Sequence, residues 1–354
     1  MNTIIRTTDS ENVNMEVVNE AGAVIKRGGL VAFPTETVYG LGADGMDGEA
    51  SVKIYEAKGR PSDNPLILHI SDMDMLDQIV SEIPPKAKIL MDNFWPGPMT
   101  LIFNKKEEVP YKTTGGLDTV AVRFPSHKVA IEIIKAAGTP IAAPSANTSG
   151  RPSPTKATHV IEDMDGRVDM IVDGGDVGIG IESTIIDVTG DIPMILRPGY
   201  ITKAMVEELV GEIQVDKVVT AKSIEEIGGE YKPKAPGMKY RHYAPKAELT
   251  MYDGPIEKVI DVINELAKEA VSQGKRVGII ATDETKDRYE KGQVVSIGTR
   301  KDEASIARGL YGILRDFDTM DVDVIYSETF YDDELGQAIM NRLIKAAGYR
   351  IENV

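Results

Sequence analysis

Two short segments place cations and neutral hydrogen-bonding groups at the same spacing. Lys58-Gly59-Arg60 offers an ammonium and a guanidinium at i, i+2, and Ser145-Ala146-Asn147, within Pro144-Ser145-Ala146-Asn147-Thr148-Ser149-Gly150, offers a hydroxyl and a carboxamide. On a helix such neighbours point apart, so the pairs are expected in extended segments, where both members of each can face one ligand. Arg supplies a planar fork for two phosphate oxygens and Lys a compact charge, while Ser and Asn can bond the remaining oxygens or a substrate amide. The set suits a polyphosphate; the alternative is a pair of surface salt bridges and an Asx-type turn. Both cations are expected to be exposed, so Lys58→Ala and Arg60→Ala should reduce turnover far more than stability.

Further candidates stand where strands should end. Arg123 closes the apolar run Val120-Ala121-Val122, and Arg197 follows Ile195-Leu196, and a charge at such a place needs a partner. Thr119, Ser183 and Thr35 add hydroxyls, although Thr35 could equally be a turn or N-cap residue. Together these groups could hold a triphosphate and stabilise charge during attack at its α-phosphorus, with no covalent nucleophile on the protein.

Other chemistries lack their residues. The four histidines, His69, His127, His159 and His242, have no metalloprotease spacing, and there is no nucleophile elbow or phosphate-loop motif. The stretch from Gly174 to Gly180 resembles a dinucleotide loop only loosely, because it runs into Glu182-Ser183-Thr184-Ile185-Ile186 rather than a helix; it reads as a hinge or turn. The absence of cysteine excludes disulfides and zinc-thiolate sites. No carboxylate cluster names a magnesium ligand, so the metal ligands are unknown.

These side chains must be positioned by about two domains, given 354 residues. A formal charge of −16, from 40 basic and 56 acidic residues, opposes strong direct nucleic-acid binding. No apolar stretch of signal-peptide or membrane-spanning length occurs, and a cytoplasmic address is expected.

A helix is expected over Asn14 to Arg27, stopped by Gly28-Gly29, and another over Ser126 to Ala137 before Gly138. Short strands are expected at Leu30–Phe33, Leu66–Ile70, Met99–Phe103, Thr119–Arg123, Ile141–Ala143, Met170–Val172, Ser183–Val188 and Met194–Arg197, and a last helix at Thr202–Val210. This is an α/β domain with a mixed sheet, ending near residue 212. A basic, tyrosine-rich, proline-punctuated linker follows over 213–247, which could be a passive spacer or could lie over an anionic or heterocyclic ligand. From 248 to 354, strands alternate with helices at Glu257–Ser272, Glu303–Phe317 and Glu334–Ala347, as in a small parallel-sheet domain without assigned catalytic residues.

Seven motifs in order give the chain a strong family resemblance: Phe33-Pro34-Thr35-Glu36-Thr37-Val38-Tyr39-Gly40-Leu41-Gly42, Lys58-Gly59-Arg60-Pro61 with Asn64-Pro65-Leu66, Trp95-Pro96-Gly97-Pro98-Met99-Thr100, Arg123-Phe124-Pro125, Ala143 with the Pro144–Gly150 segment, Glu182-Ser183-Thr184-Ile185 and Leu196-Arg197-Pro198-Gly199. The chain resembles YrdC-type threonylcarbamoyl-adenylate synthases in their long form, whose linker is similar to Pro236-Gly237-Met238-Lys239-Tyr240-Arg241-His242-Tyr243-Ala244-Pro245. The resemblance implies a twisted open sheet with a concave basic face, a Rossmann-like C-terminal domain, and synthesis of threonylcarbamoyl-AMP from L-threonine, bicarbonate and ATP with magnesium, for the tRNA threonylcarbamoyl-transfer machinery. It implies that Lys58, Arg60, Ser145 and Asn147 surround nucleotide and carbamate, that Thr35, His69, Arg123, Ala143 and Ser183 surround threonine, and that Ser62, Thr119, Ser153, Arg197, His242 and Tyr243 contact ATP. The other readings are an RNA-binding module without chemistry and a carbamoyltransferase using carbamoyl phosphate.

Overall fold

The computed structural model describes residues 2–221, 226, 233–236, 243–331 and 335–354, which fall into two compact units. The first holds the chain to Ser149, Ser153–Ala221 and the linker stretch 233–236; the second holds Gly150–Pro152 and the chain from Tyr243 onward.

Eleven strands build the first unit: β1 (Ile4–Thr7), β2 (Val31–Phe33), β3 (Gly40–Asp44), β4 (Ile67–His69), β5 (Met99–Asn104), β6 (Thr119–Arg123), β7 (Ile141–Ala142), β8 (Met170–Asp173), β9 (Thr184–Asp187), β10 (Met194–Arg197) and β11 (Gln214–Val215). They form one mixed sheet in the order β1-β8-β2-β3-β7-β4-β6-β5-β9-β10-β11. Strands β1, β3 and β11 were not expected from the sequence, nor was the helix Gly48–Lys58. The helix Met15–Lys26 starts where Asn14 caps the amide of Glu16, and it buries Val17, Val18, Ala21, Val24 and Ile25 in the core it shares with the helix Lys128–Ala137.

The centre of the sheet has two differently used faces, because successive strand residues point to opposite sides. Leu68, Leu101, Phe103, Val120, Val122 and Ile186 belong to the main core. The intervening Ile67, Ile102, Ala121 and Ile185 join Leu196, Val218 and the linker's Ala235 in a separate apolar cluster. His69 shares the face of Ile67, Arg123 that of Ala121, and Thr100 that of Ile102.

The second unit is a five-stranded, wholly parallel sheet of β12 (Glu248–Asp253), β13 (Val277–Ala281), β14 (Gln293–Ser296), β15 (Val324–Glu328) and β16 (Ile351–Asn353), in the order β14-β13-β15-β12-β16. The helix Ile256–Ser272 packs Val259, Ile260, Ile263 and Ala267 into its core, and the helices Glu303–Met320 and Leu335–Ala346 complete the βα alternation. Glu334, expected to begin the last helix, lies outside the described residues. Among the described residues no helix is long and apolar enough to cross a membrane.

Candidate active site

Register sets five side chains along one end of the sheet. His69 on β4 is level with Arg123 on β6, and Arg123 with Thr100 on β5. Thr100 Oγ1 lies 2.7 Å from Ser183 Oγ, just before β9, and Arg197 at the end of β10 donates from Nε (3.1 Å) and Nη2 (3.0 Å) to the Ser183 carbonyl. The fork fits this carbonyl because the chain after β10 passes close by: a Cβ on Gly199 would sit 2.5 Å from the Thr184 amide nitrogen. The Trp95–Met99 turn seats the other side of the row, with the Trp95 indole donating to the Met99 carbonyl at 2.8 Å and the Gly97 amide to the Phe124 carbonyl at 2.7 Å.

Arg123 has the partner that a buried charge requires. Its Nη2 meets Glu36 Oε1 at 2.6 Å, with both side chains largely withdrawn from water. Burial and the neighbouring Arg123 charge push the His69 imidazole down to about 3, so it is neutral at pH 7. Burial also lowers His127, against the opposing influence of Glu36. Thr35 closes a local turn: its hydroxyl donates to the Val38 carbonyl at 2.6 Å and lies 2.9 Å from the Thr37 hydroxyl. The same loop pairs with Gly178–Gly180 through the amides of Ile179 and Gly180, so that glycine-rich stretch serves as a turn against Glu36 and Thr37.

The Lys58 region departs from the expected extended segment. Lys58 is the last residue of the helix Gly48–Lys58, and Gly59 leaves that helix in the left-handed conformation, φ 61°, which a Cβ would strain. The two cations consequently diverge. Lys58 is 2% exposed, and its ammonium donates to the carbonyls of Ser145 and Asn147, the latter at 2.5 Å. It is a buried clamp rather than an exposed cation. The half-buried Arg60 directs Nη2 to the carbonyls of Asn64 (3.2 Å) and Pro65 (3.1 Å), and with the exposed Ser62 it lines an open groove of about 700 Å³ beside Tyr55 and Tyr111.

Ser145 Oγ donates to Asn147 Oδ1 at 2.6 Å, and their loop is held by the first motif, with the Leu41 amide on the Pro144 carbonyl and the Ala146 amide on the Tyr39 carbonyl. Ala143 is buried beside β4, its amide bonded to the Ile67 carbonyl. Ser153 is buried and donates to Glu182 Oε1 at 2.6 Å. Thr119 opens β6 and therefore stands at the strand end opposite Arg123, paired with Asn104. The face between them runs from the Asn64–Pro65 loop to the His69–Arg123 row.

Linker residues 234–236 lie on this face. Ala235 is fully buried in the cluster with Ala121 and Ile185, the Pro236 carbonyl receives Arg197 Nη1 at 3.3 Å, and Lys234 pairs with the buried Asp187 at 2.8 Å. Tyr243 belongs to the second unit, where its backbone adopts φ 65° and its ring centroid lies 5.0 Å from that of Tyr311. His242 lies outside the described residues.

Neither Glu36 nor Thr100 is singled out by residue type and spacing alone. Glu36 could have been sought as the partner owed to Arg123, since it sits in a polar cluster, Thr35-Glu36-Thr37, that follows a strand. Thr100 carried no signal beyond its motif. The arrangement presents guanidinium, hydroxyl and neutral imidazole groups at one end of a face and a lysine-clamped Ser/Asn loop nearby, which suits binding of an anionic or zwitterionic substrate and charge stabilisation by fixed donors.

A family model described as telomere recombination, for Sua5, YciO and YrdC sequences, matches residues 23–199, and one described as the C-terminal domain of threonylcarbamoyl-AMP synthase matches residues 201–348. The Bacillus subtilis protein named threonylcarbamoyl-AMP synthase is 48% identical over 98% of this chain and 97% of its own, and the Pyrococcus abyssi protein of the same name is 48% identical over 97% and 98%. The crystal structure of P. abyssi Sua5 complexed with L-threonine superposes with a TM-score of 0.92 at 47% identity, covering 99% of this chain and 100% of that one. With both halves matched along their length, the chain belongs to the threonylcarbamoyl-AMP synthase family in its two-domain Sua5 form.

Proposed function

We propose that the protein converts L-threonine, bicarbonate and ATP to threonylcarbamoyl-AMP and pyrophosphate, supplying the donor that the tRNA threonylcarbamoyl-transfer machinery places on the adenosine beside the anticodon. The observation that carries this reading is the row His69, Arg123, Thr100, Ser183 and Arg197 in a chain matched over its whole length to synthases of that name. Arg123 donates to the threonine carboxylate, and Thr35, His69, Ala143 and Ser183 complete that end of the pocket. The amine joins bicarbonate to give an N-carboxylate and water. A carboxylate oxygen then attacks the α-phosphorus of ATP, and the bond to the bridging oxygen breaks as pyrophosphate leaves.

Lys58 and Arg60, with Ser145 and Asn147, are assigned to the triphosphate and the carbamate. The Lys58 clamp fixes that loop, so its part is positioning as well as charge. Ser62, Thr119, Ser153, Arg197, Tyr243 and His242 are assigned to the nucleotide. The linker's hold on the site face favours a cover that excludes water from two hydrolysable species, the carbamate and the mixed anhydride. The working division of the chain is 1–212 catalytic, 213–247 linker and 248–354 C-terminal.

Magnesium would reach the site on the ATP phosphates. Among the described residues no group of three or more His, Asp or Glu side chains could hold an ion. A cytoplasmic setting accords with these substrates. The test is pyrophosphate release by purified protein with ATP and magnesium: a signal that requires both threonine and bicarbonate supports the reading, and one that ignores either sinks it.

A further inference from the structure

The Glu36–Arg123 pair uses only half of each ion. One contact joins Arg123 Nη2 to Glu36 Oε1, while Glu36 Oε2 and Arg123 Nε are buried with no hydrogen-bond partner among the described residues. A third such atom, His127 Nδ1, belongs to a ring that feels the Glu36 charge. Buried, uncompensated acceptor and donor atoms of charged groups are costly, and a water, an ion or a ligand that completes the set removes the cost. Both ions come from elements the site already uses, Glu36 from the Thr35 loop and Arg123 from the row with His69 and Thr100.

From this we infer that Glu36 is the acceptor for the α-ammonium of the amino-acid substrate, so that carboxylate and ammonium dock together on Arg123 and Glu36. An α-amino acid carries both groups on one carbon, and a side-by-side guanidinium and carboxylate is their charge complement. The pair also discriminates. Arg123 alone would attract any small anion, including bicarbonate and phosphate, whereas Arg123 neutralised by Glu36 favours a zwitterion over an anion. Glu36 thereby sets selectivity for the amine that is to be carboxylated. The inference rests on the threonine-dependent reading above.

The test compares binding of L-threonine and of dihydroxybutanoate, threonine with its amine replaced by hydroxyl, by calorimetry on the full chain. The native protein should prefer threonine by about tenfold or more, the worth of one charge-assisted hydrogen bond. In Glu36→Gln that preference should shrink to about twofold, with ATP affinity unchanged, whereas Glu36→Asp, which keeps the charge, should retain most of it. A Glu36→Gln protein that folds and still prefers threonine tenfold overturns the assignment. If Glu36→Gln does not fold, equal affinity of the native protein for both ligands overturns it, and a tenfold preference that survives in Glu36→Asp supports it. Failure of the underlying function would look different: native protein releasing pyrophosphate without regard to threonine.

Discussion

The ammonium of Lys58 is bonded to the main-chain carbonyl of Asn147, 89 residues away, and the same nitrogen also holds the carbonyl of Ser145. A helix end and a strand-connecting loop are thus joined by one side chain. Lys58→Ala removes the donor and leaves two carbonyls inside the fold without it. We expect a loss of about 1–3 kcal/mol in denaturant unfolding together with loss of pyrophosphate release. Arg60→Ala, which vacates a half-buried position beside an open groove, should lower turnover with a smaller change in stability. Equal stabilities for native and Lys58→Ala protein would refute the clamp.

Gly199 allows the chain after β10 to lie against Glu182–Thr184. Gly199→Ala places a methyl group 2.5 Å from the Thr184 nitrogen and 2.8 Å from the Glu182 carbonyl oxygen, so one of the two segments must move. A cost of about 1–3 kcal/mol is expected, with the threonine KM raised about tenfold as Ser183 shifts away from Thr100. Steady-state kinetics at saturating ATP measures this, and an unaltered KM would contradict it.

His69 contributes to the response to acid. Its imidazole is held neutral, with a folded value of about 3 against an ordinary 6.5. Because the unfolded chain binds this proton more readily, the contribution is fully present above pH 6.5 and is lost as pH falls from there toward about 3. The expected slope is up to about 1.4 kcal/mol per pH unit. Urea unfolding of native and His69→Asn protein across pH 4 to 7 separates this residue from His127, whose shift has the same direction. Parallel curves for the two proteins would show that His69 binds its proton in the fold as readily as in the unfolded chain.

Ala235 gives the linker its apolar foothold. Ala235→Asp would bury a charge among Ala121, Ile185 and Leu196, and release of the segment is the cheaper outcome. We expect the catalytic sheet to keep its thermal midpoint within a few degrees while kcat/KM for ATP falls about tenfold. Limited proteolysis should then cut the linker sooner than in the native protein, and unchanged kinetics would make this contact irrelevant to turnover.

Much of this arrangement is legible from pattern. Thr119–Arg123 and Met194–Arg197 are strands with the expected bounds, because short apolar runs ending in a charge or a Pro-Gly turn have few other uses. The strand Gly40–Asp44 is hidden, since Gly-Leu-Gly-Ala-Asp lacks β-branched residues and its strand character comes from pairing Phe33 with Gly40 and Ala43 with Ala142. The strand Ile4–Thr7 is mostly exposed at the sheet edge and carries little hydrophobic signal. At the site, the motifs located the side chains but not their partners. The meeting of Glu36 with Arg123, 87 residues apart, is a product of the sheet order, and Lys58 turns from surface charge to buried clamp because it ends a helix where its spacing suggests an extended segment.

The pairing of β1 with β8 brings Ile4 beside Met170, and the site row draws on strands from His69 to Arg197. During synthesis the earliest strand must therefore wait for a partner made some hundred and sixty residues later, and the Ser183 and Arg197 end of the pocket emerges last. Contacts of such long separation are slow to form. On the assignment proposed above, the pocket is complete only once the final strands of the sheet have been made.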